Sequence, residues 1–251
     1  MAAPEHLVEE LKRRMAASAG VVVFTGAGMS AESGVPTYRG QGGLWKSFRA
    51  QDLATLDAFR RDPALVWSWY RERRNKLLEV EPNEGHRAVA RAAGRVPLTL
   101  VTQNVDGLHA FAGSKGFLEL HGNIWREHCL ACPSAGDKSR HWREKVVEPE
   151  SAPLPECPDC AALMRPSVVW FGEPLDTGVL EAAFRAAEAC DLFFVVGTSG
   201  EVQPAASLPV AARRAGAYVV EVNVEPTLLT ERCHVSLFEP SAKVLPRIFA
   251  D

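Results

Sequence analysis

Short runs of apolar residues recur along the 251-residue chain, and they constrain its fold more than any other feature. The runs fall at 21–24, 98–102, 168–171, 192–196 and 218–222. Unbroken runs of this length are typical of strands buried on both faces. Amphipathic patterns predict a helix at 4–17 and further helices between the runs, at 83–93, 176–189 and 203–215. The alternation predicts an α/β fold, a parallel sheet with helices on both faces.

The first run leads into a glycine-rich turn that is typical of dinucleotide sites. Gly26, Ala27, Gly28, Ser30 and Ala31 fall in a G-x-G-x-x-A pattern where a strand is predicted to pass into a helix. Such glycines let backbone N–H groups approach a pyrophosphate, and the start of the helix favours its charge. A dehydrogenase would also need a strand ending in Asp or Glu about 20 residues further on, and residues 43–50 do not resemble a strand. The turn predicts a Rossmann-like, dinucleotide-binding domain without favouring hydride transfer.

Two segments interrupt the alternation and predict a smaller lobe. Residues 41–82 are rich in Trp, Arg and helix formers, and Asp62 followed by Pro63 is typical of a helix start. Residues 126–165 are polar, rich in proline and carry four cysteines. We therefore predict a Rossmann-like domain built from 1–40, 83–125 and 166–251. The helical insert 41–82 and the insert 126–165 would form the small lobe.

Four cysteines form two C-x-x-C pairs, Cys129 with Cys132 and Cys157 with Cys160. Two such pairs can close a tetrahedral structural zinc site of the zinc-ribbon type, with no open position for catalysis. The 24 residues between the pairs slightly exceed the usual gap, which a polar loop can absorb. Two redox dithiols or disulfides are the less favoured alternative. His128 and His141 lie nearby, and we interpret them as surface residues.

Charge and hydropathy narrow the function classes. The chain carries 28 Lys and Arg against 31 Asp and Glu, a net charge of −3, which implies no general attraction to nucleic acid or an anionic membrane. No apolar run approaches the ~20 residues needed to span a bilayer. Residues 1–14 lack both the apolar stretch of a secretory signal and the pattern of an organelle leader. These features predict a cytoplasmic protein with neither nucleic acid nor membrane as partner.

Polar residues follow two of the predicted strands. Gln103, Asn104 and Asp106 come directly after the run 98–102, at the strand end where open α/β sheets bind ligands. Their amide and carboxylate groups can hold a ribose and a carboxamide. His121 follows a short strand predicted at 117–120, and an imidazole suits a general base near neutral pH.

Three segments complete a pattern with the glycine-rich turn and the cysteine pairs: TQNVDGLH at 102–109, LHGN at 120–123 and GTS at 197–199. From about residue 20 to the C-terminus, the chain resembles the sirtuins, the NAD-dependent protein lysine deacylases. The resemblance implies NAD+ as co-substrate, one structural Zn2+ and acylated lysine side chains of proteins as substrates. It also implies that the acyl oxygen attacks C1′ of the ribose. The products would be nicotinamide, O-acyl-ADP-ribose and free lysine.

The resemblance also implies roles for individual residues. His121 would take a proton from a ribose hydroxyl, Gln103 would contact a ribose, and Asn104 and Asp106 would hold nicotinamide and the lysine-side loop. Tyr38 stands where the family commonly has phenylalanine, so an aromatic face over the sugar is kept. The remaining predicted dinucleotide contacts are Thr37, Arg39, Trp45, Gly197, Thr198, Ser199, Asn223, Glu225 and Ser241.

The helical insert bears on the acyl group. Tyr70 and Arg73 are three residues apart, so they share a helix face and can grip a carboxylate. Tyr-x-x-Arg here resembles the sirtuin class that removes succinyl, malonyl and glutaryl groups. Small residues at 50–54, including Ala50 and Ala54, and Thr37 fit that class. We predict desuccinylation and demalonylation with weaker deacetylation, and we expect Arg71 and Arg74 to lie on the surface.

Three alternatives stay open at this point. The chain could be mainly a deacetylase, or it could transfer ADP-ribose to a protein, although nothing in the sequence supplies a distinctive nucleophile. A non-enzymatic zinc-ribbon module is the third alternative. The charge of −3 and the presence of Gln103, Asn104, Asp106 and His121 count against it.

Overall fold

The computed structural model describes residues 3–37, 44, 45, 48–132, 138, 139 and 147–250. Its strands are β1 (Val21–Thr25), β2 (Leu44–Trp45), β3 (Phe48–Arg49), β4 (Leu98–Thr102), β5 (Leu118–Glu119), β6 (Gly122–Cys129), β7 (Lys138–Ser139), β8 (Met164–Val168), β9 (Leu192–Val196), β10 (Tyr218–Asn223) and β11 (Val235–Phe238). Its α-helices are α1 (Glu5–Ala17), α2 (Gly28–Ala31), α3 (Ala50–Leu53), α4 (Leu56–Arg61), α5 (Pro63–Leu77), α6 (Glu84–Ala92), α7 (Leu108–Phe111), α8 (Thr177–Ala189), α9 (Leu208–Arg214) and α10 (Ser241–Ile248).

Six parallel strands form the central sheet in the order β11-β10-β9-β1-β4-β5. The chain builds outward from β1 in one direction through β4 and β5, and later in the other direction through β9, β10 and β11. Strand order therefore reverses between β1 and β9. In open α/β sheets, ligands bind beyond the carboxyl ends of the strands at such a switch point.

Apolar side chains pack against both faces of the sheet. On one face lie α1, α6 and α10, which contribute Leu11, Val89 and Leu245 to a core with Phe194. On the other face lie α8 and α9, which pack their small and apolar residues against Phe193 and neighbouring strand residues. The predicted parallel sheet with helices on both faces is confirmed. Among the described helices, none is long and apolar enough to span a membrane.

Two predicted elements are wrong in detail. The run 168–171 does not enter the parallel sheet, because β8 ends at Val168 and pairs antiparallel with β6 in a second, three-stranded sheet of order β7-β6-β8. The apolar residues of this run pack instead in a second core, described below, where Trp170 is fully buried. The helix predicted at 203–215 begins as a 3-10 turn at Ala205–Ser207 before α9. Pro209 falls in the first turn of α9, where the missing N–H costs nothing.

A second core lies among α3, α4, α5, β6 and Trp170, with Trp67, Phe59 and Ile124 at its centre. The predicted capping of α5 is present, since the Asp62 side chain accepts a hydrogen bond from the Leu65 backbone N–H. This lobe draws on residues from both predicted inserts. The strands of its sheet begin at residue 122 and end at residue 168, so they extend past the predicted limits of 126 and 165. The division into domains stays a prediction.

Arg71 and Arg74 are buried, so the expectation that they lie on the surface is wrong. Arg74 is 1% exposed and pairs with Glu127 at 2.9 Å, while its Nε donates to the Ile124 carbonyl at 2.7 Å. Arg71 is 2% exposed and donates to the carbonyls of residues 150, 152 and 153. Both side chains face inward because neighbouring segments cover two sides of α5. They join this helix to β6 and to the segment before Cys157.

Replacing Arg74 with methionine should strongly destabilise the fold. The change leaves Glu127 as a buried carboxylate without its cation, and breaking such a pair costs about 3–5 kcal/mol. Urea denaturation followed by tryptophan fluorescence measures the loss. The matched control Arg87→Met, in an exposed pair with Glu84, should change the free energy of unfolding by about 0.5 kcal/mol or less.

The double variant Arg74→Met/Glu127→Leu should recover part of this loss, because it leaves no unpaired charge in the core. A loss for Arg74→Met as small as that of the surface control would contradict the buried pair.

Candidate active site

Two loops approach each other closely at the switch point of the sheet. The Gly28 N–H donates to the Gly197 carbonyl at 2.7 Å, and the Gly26 N–H donates to the Val196 carbonyl at 2.9 Å. A Cβ atom on Gly28 would lie 2.8 Å from the Gly197 Cα, so only glycine fits. Gly197 itself has a φ of +59°, which also favours glycine. The loops after β1 and β9 therefore form one glycine-lined surface.

The helix after the glycine-rich turn is short. Ala27 caps α2, which holds four residues and ends at Ala31. The sequence pattern predicts a helix whose start would favour an anion, but one turn supplies little dipole. Any phosphate here depends mainly on the glycine backbone.

The end of β4 supplies the side chains that join these loops. Gln103 Nε2 donates to Thr198 Oγ1 at 2.8 Å, and Asn104 Nδ2 donates to the Gly26 carbonyl at 3.0 Å. Asn104 Nδ2 also lies 3.1 Å from Ser30 Oγ. Thus the residues after β1, β4 and β9, distant in sequence, meet at one edge of the sheet. This edge is where the sequence predicts a ligand.

Asp106 lies buried behind this edge. Its Oδ2 accepts from Ser30 Oγ at 2.7 Å and its Oδ1 accepts from the Leu108 backbone N–H at 2.8 Å. Burial raises the pKa of Asp106, while these two hydrogen bonds and the charge of Arg73 counteract the rise.

His121 follows β5 and is held as a neutral imidazole. Its Nδ1 lies 3.0 Å from the Gln103 carbonyl, which can only accept, so Nδ1 carries the hydrogen and Nε2 keeps a lone pair. Burial lowers the pKa of His121, and the hydrogen bond to Gln103 opposes this only in part. A neutral imidazole with an available Nε2 is the form that a general base requires.

Two buried histidines, His86 and His109, were missed by the sequence analysis. His86 Nδ1 accepts from the Asn83 backbone N–H in the capping box of α6, so its Nε2 carries a hydrogen that faces Ser30 Oγ at 3.4 Å. Ser30 is then free to donate to Asp106. Burial lowers the pKa of His86 to about 4, and burial also lowers the pKa of His109 well below its ordinary value. The available signal was Asn-x-x-His at the start of α6, a capping pattern.

Among the other predicted dinucleotide contacts, Asn223 lies at the same edge. Asn223 Nδ2 donates to the Thr198 carbonyl at 3.0 Å. Ser241 begins α10, and its hydroxyl lies 3.4 Å from Glu32 Oε1. Ser199 follows Thr198 directly, and Glu225 is exposed two residues after β10. Thr37 ends its described segment, Tyr38 and Arg39 lie outside the described residues, and the side chains of Trp45 and Ala50 are likewise outside them.

The predicted acyl-binding residues lie on α5 and beside it. Tyr70 is 2% exposed, and its hydroxyl accepts from Trp170 Nε1 at 2.8 Å. Arg73 is half-buried, with its guanidinium 4.9 Å from the centre of the Trp69 ring. The Ala54 carbonyl accepts from the Phe171 N–H at 2.9 Å. The small-lobe core thus contains Tyr70 and Ala54, whereas Arg73 lies at its margin.

The four cysteines of the C-x-x-C pairs form one cluster. Their sulfur atoms all lie within 4.8 Å of one another, and Cys129 Sγ is 3.6 Å from Cys160 Sγ. Four sulfurs around a tetrahedral zinc ion would be about 3.8 Å apart. Backbone N–H groups of Ala131 and Cys132 lower the pKa of Cys129 to about 7, while the Cys160 thiol raises that of Cys132 to about 12. The donor set fits zinc, since a cation would favour all four thiolates.

Of the two nearby histidines, His128 does not join this cluster. His128 Nδ1 lies 3.1 Å from Ser167 Oγ, and the side chain is half-buried rather than on the surface. His141 lies outside the described residues.

Comparisons with known proteins agree with this geometry. The Sir2 family model matches residues 26–204. An NAD-dependent protein deacylase of Aeropyrum pernix is 51% identical over 220 residues, covering 87% of this chain and 86% of the relative. The NAD-dependent protein deacylase of Thermus thermophilus is 48% identical over 236 residues, covering 92% and 89%.

Solved structures show the same similarity. A Sir2 homologue in complex with NAD matches with a TM-score of 0.87 at 40% identity, covering 96% of this chain and 92% of that chain. A Sir2 protein with a p53 peptide and NAD+ matches with a TM-score of 0.82 at 31% identity, covering 96% of both chains.

The protonation state of His121 can be tested directly. A lowered pKa means that the imidazole stays neutral at pH values where an exposed histidine is already half protonated. We therefore expect a titration midpoint below 6.5 and the Nδ1–H tautomer, measured by 15N–1H correlation spectra of the imidazole. The spectrum of His121→Gln assigns the signal. A midpoint at or above 6.5 would contradict the buried, neutral base.

Proposed function

Because this chain belongs to the Sir2 family and is an NAD-dependent protein deacylase, we propose that it removes mainly succinyl and malonyl groups from lysine side chains. Glutaryl groups belong to the same class of substrate, and acetyl groups are removed more slowly. The products are nicotinamide, O-acyl-ADP-ribose and free lysine. The observation that carries the proposal is that Tyr70 and Arg73 lie three residues apart on α5, with the Arg73 guanidinium 4.9 Å from the centre of the Trp69 ring at the margin of the small lobe.

A carboxylate at the end of an acyl chain needs a cation and a hydroxyl in a site with little water. Arg73 supplies the cation and Tyr70, one turn earlier on α5, supplies the hydroxyl. Tyr70 is held in place by Trp170 Nε1, so little side-chain freedom is lost on binding. Ala54, on the preceding segment, is small and leaves room for a chain longer than acetyl.

We infer the catalytic roles from the hydrogen bonds at the strand ends and from the resemblance to the sirtuins. When bound, NAD+ supplies an electrophilic ribose carbon and nicotinamide as the leaving group. His121 Nε2 accepts a proton from a ribose hydroxyl, because its Nδ1–H is already committed to the Gln103 carbonyl. Asn104 and Asp106 bind the nicotinamide side and orient the loop toward the lysine. Ser30 fixes the Asp106 carboxylate by its 2.7 Å hydrogen bond.

The remaining NAD contacts are proposed on the glycine-lined surface and the strand ends beside it. Gly26, Gly28 and Gly197 allow backbone N–H groups to approach the phosphates. Thr198, Ser199, Asn223, Glu225 and Ser241 complete the adenosine side.

The cysteine cluster is proposed to hold a single structural zinc ion. Four thiolates leave no position for water, so the ion stabilises the lobe and takes no part in the reaction. The cysteine cluster lies beside β6 and β8, so the ion would stabilise the sheet that packs against α5.

The acyl preference can be tested by kinetics. We compare succinyl-, malonyl- and acetyl-lysine peptides of one sequence on the wild type and on Arg73→Met. Loss of the cation should lower kcat/KM for the succinyl and malonyl peptides by about 30-fold or more, as expected for a charge-assisted pair with little water. The acetyl peptide should change little.

Two variants serve as controls. Arg73→Lys keeps the charge and should retain part of the preference, and Arg185→Met changes an exposed arginine of α8 and should have no effect. A wild type that prefers acetyl-lysine, or an equal loss on all three peptides, would contradict the proposal. Nicotinamide release that acyl-peptide does not stimulate would favour protein ADP-ribosyl transfer instead.

The zinc proposal has its own measurement. Elemental analysis of the purified protein should find about one zinc ion per chain, and Cys129→Ser should lose it together with thermal stability. The control Cys233→Ser, outside the cluster, should keep the ion. Stoichiometric zinc in both variants would contradict the assignment.

A further inference from the structure

Glu221 is a fully buried acidic residue in the middle of β10, with 0% of its surface exposed. Three hydroxyl groups donate to its carboxylate: Thr227 at 2.5 Å, Thr230 at 2.8 Å and Ser236 at 2.7 Å. A buried carboxylate is costly unless it is well hydrogen-bonded. An apolar residue at this buried position of β10 would avoid that cost, which indicates that the carboxylate has a specific role.

The two threonines belong to the loop 224–232 after β10. Each of their hydroxyl groups accepts one hydrogen bond and donates another. Thr230 Oγ1 accepts from the Thr227 backbone N–H at 2.8 Å, and Thr227 Oγ1 accepts from the Leu229 N–H at 3.1 Å. Their hydroxyl hydrogens must then point to Glu221. Through these two hydroxyl groups, Glu221 holds the backbone of the loop at residues 227–230.

This loop supports the edge of the sheet where the proposed NAD contacts lie. The side chain of Leu229 packs so closely on Gly200 that a Cβ atom there would lie 2.5 Å from Leu229 Cγ. Gly200 follows the Gly197-Thr198-Ser199 segment, and Asn223, the last residue of β10 before the loop, donates to the Thr198 carbonyl. A shift of the loop would therefore displace the surface on which the adenosine side of NAD rests.

We propose that Glu221 is a positioning residue for dinucleotide binding. Without touching the nucleotide, it holds the loop 224–232 that carries Glu225 and presses on the segment 197–200. The inference rests on the proposed NAD site. It predicts that loss of the Glu221 carboxylate weakens binding of the adenosine side of NAD. The rate of the chemical step and the binding of nicotinamide should not change.

The test is Glu221→Gln, measured by calorimetric titration with ADP-ribose. The amide NH2 would face a hydroxyl whose hydrogen then has no acceptor, so the loop should loosen. We expect ADP-ribose affinity to fall about 10-fold and KM for NAD+ to rise by a similar factor. The kcat at saturating NAD+ and inhibition by nicotinamide should stay within about 2-fold, since a factor of 2 is a change of under 0.5 kcal/mol.

Ser236→Ala is the matched control, because Ser236 donates to the same carboxylate from β11 rather than from the loop. It should lower the thermal midpoint and leave ADP-ribose affinity unchanged. Thr230→Val removes the hydrogen bond from the loop to Glu221, so it should weaken ADP-ribose binding as Glu221→Gln does. If Glu221→Gln does not fold, Thr230→Val provides the measurement.

The outcomes are distinct. A wild type that does not bind ADP-ribose would overturn the proposed NAD site itself. A wild type that binds, with Glu221→Gln or Thr230→Val binding equally well, would overturn only the role of Glu221. An equal loss of affinity in Ser236→Ala would also overturn it, since the effect would then belong to the strand pair and not to the loop.

Discussion

The close approach of two backbones at the centre of the sheet is the constraint on which the site depends. The loops after β1 and β9 touch through Gly26, Gly28 and Gly197, with no side chain between them. Because the backbones meet, Gln103 and Asn104 from β4 can bridge both loops with single hydrogen bonds. A side chain at any of these glycines would separate the loops and break the bridges.

Burial of polar groups serves two different purposes in this molecule. Behind the glycine-lined surface, His86 and Asn104 both donate to the Ser30 hydroxyl, which in turn donates to Asp106. This chain of hydrogen bonds gives the Asp106 carboxylate a defined orientation. In the small lobe, Arg71 and Arg74 instead connect α5 to the segment before Cys157 and to β6. Arg73, between them on the same helix, lies at the lobe margin with its guanidinium near the Trp69 ring, and we propose that it selects the acyl group.

The sequence was sufficient to predict the parallel sheet, because buried strands require unbroken apolar runs and the cover on both faces requires helices. The cysteine cluster was also predictable, since spacing alone specifies it. Local patterns could not separate Arg71 and Arg74 from Arg73, because the segments that bury them are about 50 and 80 residues away. Trp170 was misplaced for a related reason: an apolar run shows that residues are buried but not in which of two cores.

The order of strands in the sheet has a consequence for biosynthesis. β1 is made first and lies at the centre, yet its neighbours β4 and β9 begin only at Leu98 and Leu192. As the ribosome releases the chain, one edge of β1 stays unpaired until β9 emerges, and its bare N–H and C=O groups could pair with another chain. The nascent protein thus passes through a long interval in which the small lobe can be complete while the cleft does not yet exist. A chaperone that shields β1 during this interval would act after Gln103 and His121 have been made but before the loop of Gly197 exists to meet Gly28.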